Sequence, residues 1–295
     1  MMSKRQLQGF TLVEMIVVIV ITGIIGGMVA MFLRAPVQGY VDSARRAGLT
    51  DIADTATRRI SRDLHLALPN SVRVTGACGA AACFVEFIPT IGGGRYRADT
   101  DTTDDVCPGG NTNDDILSFD DPDTCFEVIG AIPPGVVAGD QIVVYNLGIS
   151  DPVKGTNAYD GNTTTAHNRR AVSAVGAHSI SITSANALPF DSCVREGGII
   201  LGGCRFQVVQ TPVTYAFNPV ARTLSRWQGY AIQSGQPTTL PAAGSASILA
   251  TNVTACTFTY DAVSQRSGLV TMHLTISDHG EDVTLYSATH VNNVP

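Results

Sequence analysis

Residues 10–33 form an apolar run interrupted only by Thr11, Glu14 and Thr22. At about 1.5 Å per residue it makes roughly 36 Å of helix, enough to cross a hydrocarbon core of about 30 Å with some tilt. A short polar leader, Met1 to Gln8 with Lys4 and Arg5, stands before it. Glu14 is the anomaly. A carboxylate inside a lipid-spanning helix costs about 2.5–3.5 kcal/mol even on lenient insertion scales, so it calls for a partner.

The remainder of the 295 residues has room for one large or two small folded units. Only 15% of positions are charged, while 29 are Gly and 14 Pro, which suits a loop-rich β protein better than a helical one. The net charge is −6, and Lys154 is the one lysine outside the leader. An acidic surface of this kind lacks the cationic footprint on which nucleic-acid affinity rests, so no nucleic-acid partner is expected.

An ordinary secretory signal is cut after its apolar region, at a small-x-small site. Here the candidate site lies before it, between Gly9 and Phe10. Gly9, Phe10, Thr11, Leu12 and Glu14 match, without a departure, the class III signal that this segment resembles: that of type IV prepilins and type II secretion pseudopilins. The resemblance implies that a prepilin peptidase cuts after Gly9 and methylates the new amino group of Phe10, and that the helix is kept. It also implies a single-pass protein of the bacterial inner membrane with a periplasmic C-terminal body, later carried to the pilus and cell surface. Expected partners are the peptidase, the inner-membrane lipid, the pilus assembly platform, other minor pilins and the major pilin. Physically, the Phe10 amine of one subunit could neutralise Glu14 of its neighbour, since two charges that are costly in lipid offset one another at a contact. The rival reading is a plain anchor with a chance Glu. Lys4 and Arg5 before the span agree with a cytoplasmic leader, although Arg34, Arg45 and Arg46 follow it. Gly23 and Gly27 form a small-x-x-x-small pair, read either as a close-packing face or as ordinary glycine tolerance in a membrane helix.

Beyond Arg34 and Pro36, small or apolar residues recur at Val37, Val41, Ala44, Gly48, Ile52, Ala56, Ile60 and Leu64. Arg45, Arg46, Asp51, Asp54, Arg58, Arg59, Arg62 and Asp63 lie largely off that face. The periodicity predicts an amphipathic helix over 34–68 continuing the span, loosened at Pro36 and ended by Leu68-Pro69-Asn70. A β-rich periplasmic body over 69–295 follows, with strands at 83–88, 140–147, 179–183, 206–217, 223–232 and 270–276. Asn218-Pro219-Val220-Ala221 supplies a turn, and 277–281 turns the last strand into 282–290. The expected fold class is α+β, a long helix packed on an antiparallel domain. The helix end, 58–71, resembles the larger minor pilins of the PilW and GspJ kind. The tracts 213–230 and 268–295 resemble minor pilin-like biogenesis proteins of mannose-sensitive haemagglutinin (MSHA) pili, whereas 76–165 resembles them poorly.

Seven cysteines occur with no C-x-x-C and no zinc-type histidine spacing. Pairing of neighbours gives Cys78–Cys83, Cys107–Cys125 and Cys193–Cys204, with Cys256 left over; the alternative is that some are buried small apolar residues. Disulfides fit an oxidising periplasm. Nine Asp fall within 99–123, and Asp99, Asp101, Asp114 and Asp115 are a weak calcium candidate that lacks the EF-hand pattern. The favoured reading of this stretch is a solvated acidic loop. No G-x-S-x-G, H-E-x-x-H or P-loop is present, the six histidines are dispersed, and neither catalysis nor a cofactor is expected. The function read from the chain is assembly of a type IV pilus, in a tip or priming complex, because the 69–295 body is bulky for a repeating shaft. The rivals are a tip adhesin, for which aromatic residues are few and unclustered, and a membrane-anchored periplasmic enzyme.

Overall fold

The computed structural model describes residues 9–99, 106–107, 115–149, 155–160, 167–183, 186–264 and 266–295. Helix α1 (Leu12–Leu64) is continuous through Pro36, whose ring removes one N–H donor. It is the one helix in the described residues long and apolar enough to cross a membrane. All of its residues from 12 to 48, about 55 Å of helix, are exposed, and within that stretch Arg46 reaches Glu281 of the body. Only the last turns pack, through Leu49, Ala53, Ala56, Thr57, Ile60, Asp63 and Leu64. This face differs from the expected one: Gly48 and Ile52 are exposed and Asp63 is buried. The run Gly48, Ile52, Ala56, Ile60, Leu64 uses steps of four, each advancing about 40° beyond a full turn, so it spirals off any fixed face. The helix also ends earlier than expected. Leu66 and Ala67 make short-range bonds to Asp63 and Leu64, and the Leu68 and Thr90 N–H groups tie this segment to Ile88 and Leu66 carbonyls.

Among the described residues, every strand pairing of the body is antiparallel. In chain order the strands are β1 (Arg73–Gly76), β2 (Cys83–Phe87), β3 (Thr90–Tyr96), β4 (Cys125–Ile129), β5 (Gln141–Val143), β6 (Arg169–Val175), β7 (Ser179–Ile182) and β8 (Val194–Glu196). They continue with β9 (Ile199–Gly202), β10 (Arg205–Val209), β11 (Val213–Asn218), β12 (Thr223–Gln228), β13 (Ser245–Ala250), β14 (Val253–Ser264), β15 (Ser267–Asp278) and β16 (Glu281–Asn292). A five-stranded sheet runs β1-β2-β11-β12-β13, and a three-stranded sheet runs β14-β15-β16. Between β2 and β11 the chain forms a closed barrel, ordered β10-β3-β4-β7-β6-β5, with the β8–β9 hairpin beside it.

Two large hydrophobic cores result. One joins Ala56, Ile60 and Leu64 of the helix to Val85, Phe87, Tyr215 and Phe217 of the larger sheet and Phe258, Met272 and Leu274 of the smaller. The other fills the barrel with Tyr96, Phe126, Ile142, Ile180, Phe206 and Val208. A smaller cluster of Leu68, Ile88, Val143, Tyr159 and Val209 lies between the barrel and the segment behind the helix end, and another lies around Phe84, Trp227 and Tyr230. The strand expected at 206–217 is two strands, because Gln210-Thr211-Pro212 carries the chain from the barrel, where Val209 pairs with Thr90, to the sheet, where Val213 pairs with Phe87. The strand expected at 140–147 stops at Val143, and Tyr145 takes a positive φ. The Asn218 turn is as expected: its side chain accepts the N–H groups of Val220 and Ala221. The terminal hairpin β15–β16 keeps register over its full length.

Candidate functional site

The helix begins within the sequence motif. Thr11 is its N-cap in extended conformation, and its Oγ1 accepts the Glu14 N–H at 3.3 Å. Glu14 therefore occupies the third helical position, where the Thr-x-x-Glu spacing forms a capping pair and the helix dipole favours a negative charge. The resemblance assigned Glu14 to a neighbour's amine, but this local role was legible in the same spacing and was not drawn from it. Phe10 and Leu12 are exposed, and a side chain at Gly9, Gly23, Gly26 or Gly27 would meet nothing within 4 Å. The glycine face is thus open. Thr22 satisfies its hydroxyl within the helix, donating to the Val18 carbonyl at 2.6 Å, so it adds no unpaired polar group to the span.

The other end is seated by charge as well as by packing. The buried Asp63 carboxylate accepts from Tyr215 Oη at 2.8 Å and Arg226 Nε at 2.9 Å, with Arg59 Nε 3.2 Å away. Burial and this carboxylate push the Tyr215 phenol well above its usual range. Midway, Arg46 reaches Glu281 Oε2 at 2.6 Å at the β15–β16 turn. Behind the helix end, Asn70 in left-handed conformation donates to the carbonyls of Asn146 and Asn293 at 2.9 and 3.0 Å. Asn146 in turn donates to the Pro69 carbonyl at 2.6 Å. One short segment thereby ties helix, barrel and C-terminus together. A second buried cluster joins Arg73, Glu86 and Tyr230 across β1, β2 and the segment after β12. Apart from the i,i+4 pair Arg59–Asp63, these partners were not legible, because they come from separate elements of the chain.

Disulfides join Cys78–Cys83, Cys107–Cys125 and Cys193–Cys204, and Cys256 is buried with a free thiol raised to about 12 by burial. Of the calcium candidates, Asp101 and Asp114 lie outside the described residues. Asp99 is exposed, whereas Asp115 is buried and accepts the N–H groups of Val106 and Cys107. Asp115 thus departs from the solvated loop expected: its carboxylate fixes the backbone at Cys107. Asp123 likewise accepts from Ser118 and Cys125. Among the described residues, no group of three metal-ligating side chains converges. The leader residues Lys4 and Arg5 also lie outside the described residues.

No curated protein and no solved structure matches the chain. The prokaryotic N-terminal methylation motif matches residues 4–30. That motif implies processing by a prepilin peptidase and assembly with other pilins, and the exposed apolar helix behind it is consistent with membrane anchoring. Over these residues the chain is similar to the N-terminal segment of type IV pilin-like prepilins.

Proposed function

We propose that this chain is a minor pilin of an MSHA-type pilus, similar to MshO, and acts without catalysis in a tip or assembly-priming complex. One observation carries the reading: the motif Gly9, Phe10, Thr11, Leu12 and Glu14 heads a helix whose residues 12–48 are all exposed, with Arg46 reaching Glu281 of the body near the far end. A helix so exposed and apolar needs lipid first and neighbouring helices afterwards. Its buried ionisable groups, Asp63 and Glu86 with their arginines, hold elements together. Cleavage after Gly9 and methylation of Phe10 would occur at the inner membrane, leaving the body in the periplasm and then on the pilus.

The test is genetic and chemical. Intact mass of the cellular protein should give a chain beginning at a methylated Phe10, and Gly9→Val should block the cut. Glu14→Val should insert and be cleaved, because removing a charge makes the helix more lipid-soluble. It should then fail to co-purify with the other minor pilins and lower pilus number. Wild-type piliation by Glu14→Val would return the chain to a plain anchor.

A further inference from the structure

Among the described residues, strand β16 has an unused edge: it pairs with β15 alone, twelve residues against twelve with no bulge, and ends its sheet. Asn293 N–H bonds to the Arg266 carbonyl, while Ser277 N–H bonds away from β16, to Asn252. These two bonds fix the ladder phase: Asp282, Thr284, Tyr286, Ala288 and His290 direct their N–H and C=O outward. Such an edge is usually blunted by proline, lysine or a bulge, and β16 has none of these.

Helix α1 forms a wall beside this edge. Arg46 meets Glu281, and Ser61 meets both Ser287 and Thr289. Fifteen helical residues cover about 22 Å and seven strand residues about 23 Å, so helix and strand run in the same direction nearly in parallel. A groove lies between them, lined by Arg58, Arg62 and His65 and by Leu285, Tyr286 and Ser287. Successive side chains of a strand point to opposite faces, so a groove touching three in a row opens onto the strand's edge. Arg58 is bonded to Asp54, whereas the side chains of Arg62 and His65 are exposed and have no hydrogen-bond or ion-pair partner among the described residues.

We propose that this groove takes an extended, acidic segment of a partner protein, added as a fourth strand beside β16 with alternate carboxylates facing Arg62 and His65. Outward N–H and C=O groups at strand spacing require an extended backbone, since a helix has already satisfied its own. A second copy fits poorly. Antiparallel pairing of two β16 edges would point the two helices in opposite directions, which one membrane does not allow. Parallel pairing of two identical edges turns the second copy's sheet over, and brings Tyr286, Ala288 and His290 rather than carboxylates towards Arg62 and His65.

The test uses the full chain in detergent micelles and three peptides: eight residues of valine alternating with glutamate, the same with lysine for glutamate, and a helical peptide of the acidic charge. Amide hydrogen exchange is read along β15 and β16. The acidic strand peptide should slow exchange at Thr284, Tyr286 and Ala288 at least tenfold and leave β15 unchanged, and the lysine twin should bind at least tenfold more weakly. Arg62→Glu should reverse that preference. Ala288→Pro removes one outward N–H but no ladder bond, and should abolish binding with β15 protection intact. The proposal fails if the edge amides gain no protection, if both strand peptides bind equally, or if the helical peptide displaces the acidic one. It also fails if protection rises with protein concentration alone, the signature of self-pairing.

Discussion

Asp63 is the residue on which the helix's seat depends most. It stood on the polar side in the periodicity of the sequence, yet it sits buried among Tyr215, Arg226 and Arg59. Removing one partner from a buried ionic cluster leaves the others uncompensated, so Asp63→Ala should cost about 3–5 kcal/mol in denaturant unfolding of the body. His167 carries a second, pH-dependent prediction. Its Nδ1 accepts from Arg170 at 3.0 Å, and burial together with Arg170 and Arg169 pushes its pKa below the ordinary 6.5. A base with a lowered folded pKa contributes stability that is complete above 6.5 and lost as pH falls through the lowered value. Urea midpoints measured at pH 7.5 and 5.0 should therefore fall more in wild type than in His167→Asn. Apart from the i,i+4 pair with Arg59, neither set of contacts could be read in advance: Tyr215 and Arg226 lie more than 150 residues from Asp63, and burial of one imidazole leaves no periodic trace.

Among the elements, the strands with one wet face were the readable ones. β15 alternates Val270, Met272, Leu274 and Ile276, all buried, with Thr271, His273 and Thr275, and it falls where that alternation put it. β13 was not anticipated. β3 escaped too, since Gly92-Gly93-Gly94 offers no β-branched or aromatic signal. Those glycines are explained by their neighbours: a Cβ at Gly94 would lie 2.7 Å from the Phe206 ring tip, and one at Gly92 would lie 2.7 Å from Pro133. Gly94→Val should overpack the barrel by about 1–3 kcal/mol. Hydrogen exchange should then quicken in β3, β4 and β10 while β14–β16 keep their protection.

At the scale of the whole molecule, the two cores predict two cooperative units. Cys107–Cys125 closes a loop with a sequence separation of 18 onto β4 of the barrel, so its removal should cost the barrel about 3 kcal/mol through loop entropy. The paired Cys107→Ala and Cys125→Ala variant should lower an early calorimetric transition and leave the later one, that of the helix and the two sheets, in place. A single merged transition shifted as a whole would contradict two independent units. The sequence alone determined the N-terminal methylation motif, the long apolar helix, the α+β class and the strands with alternating faces, because each is written in residues close together along the chain. Only the tertiary structure decided which face of α1 is buried, that a barrel interrupts the sheet between β2 and β11, where Asp63 finds its partners, and that β16 keeps a free edge. Those depend on the meeting of segments a hundred or more residues apart, and nothing in local spacing or hydropathy records which distant surface a residue will touch.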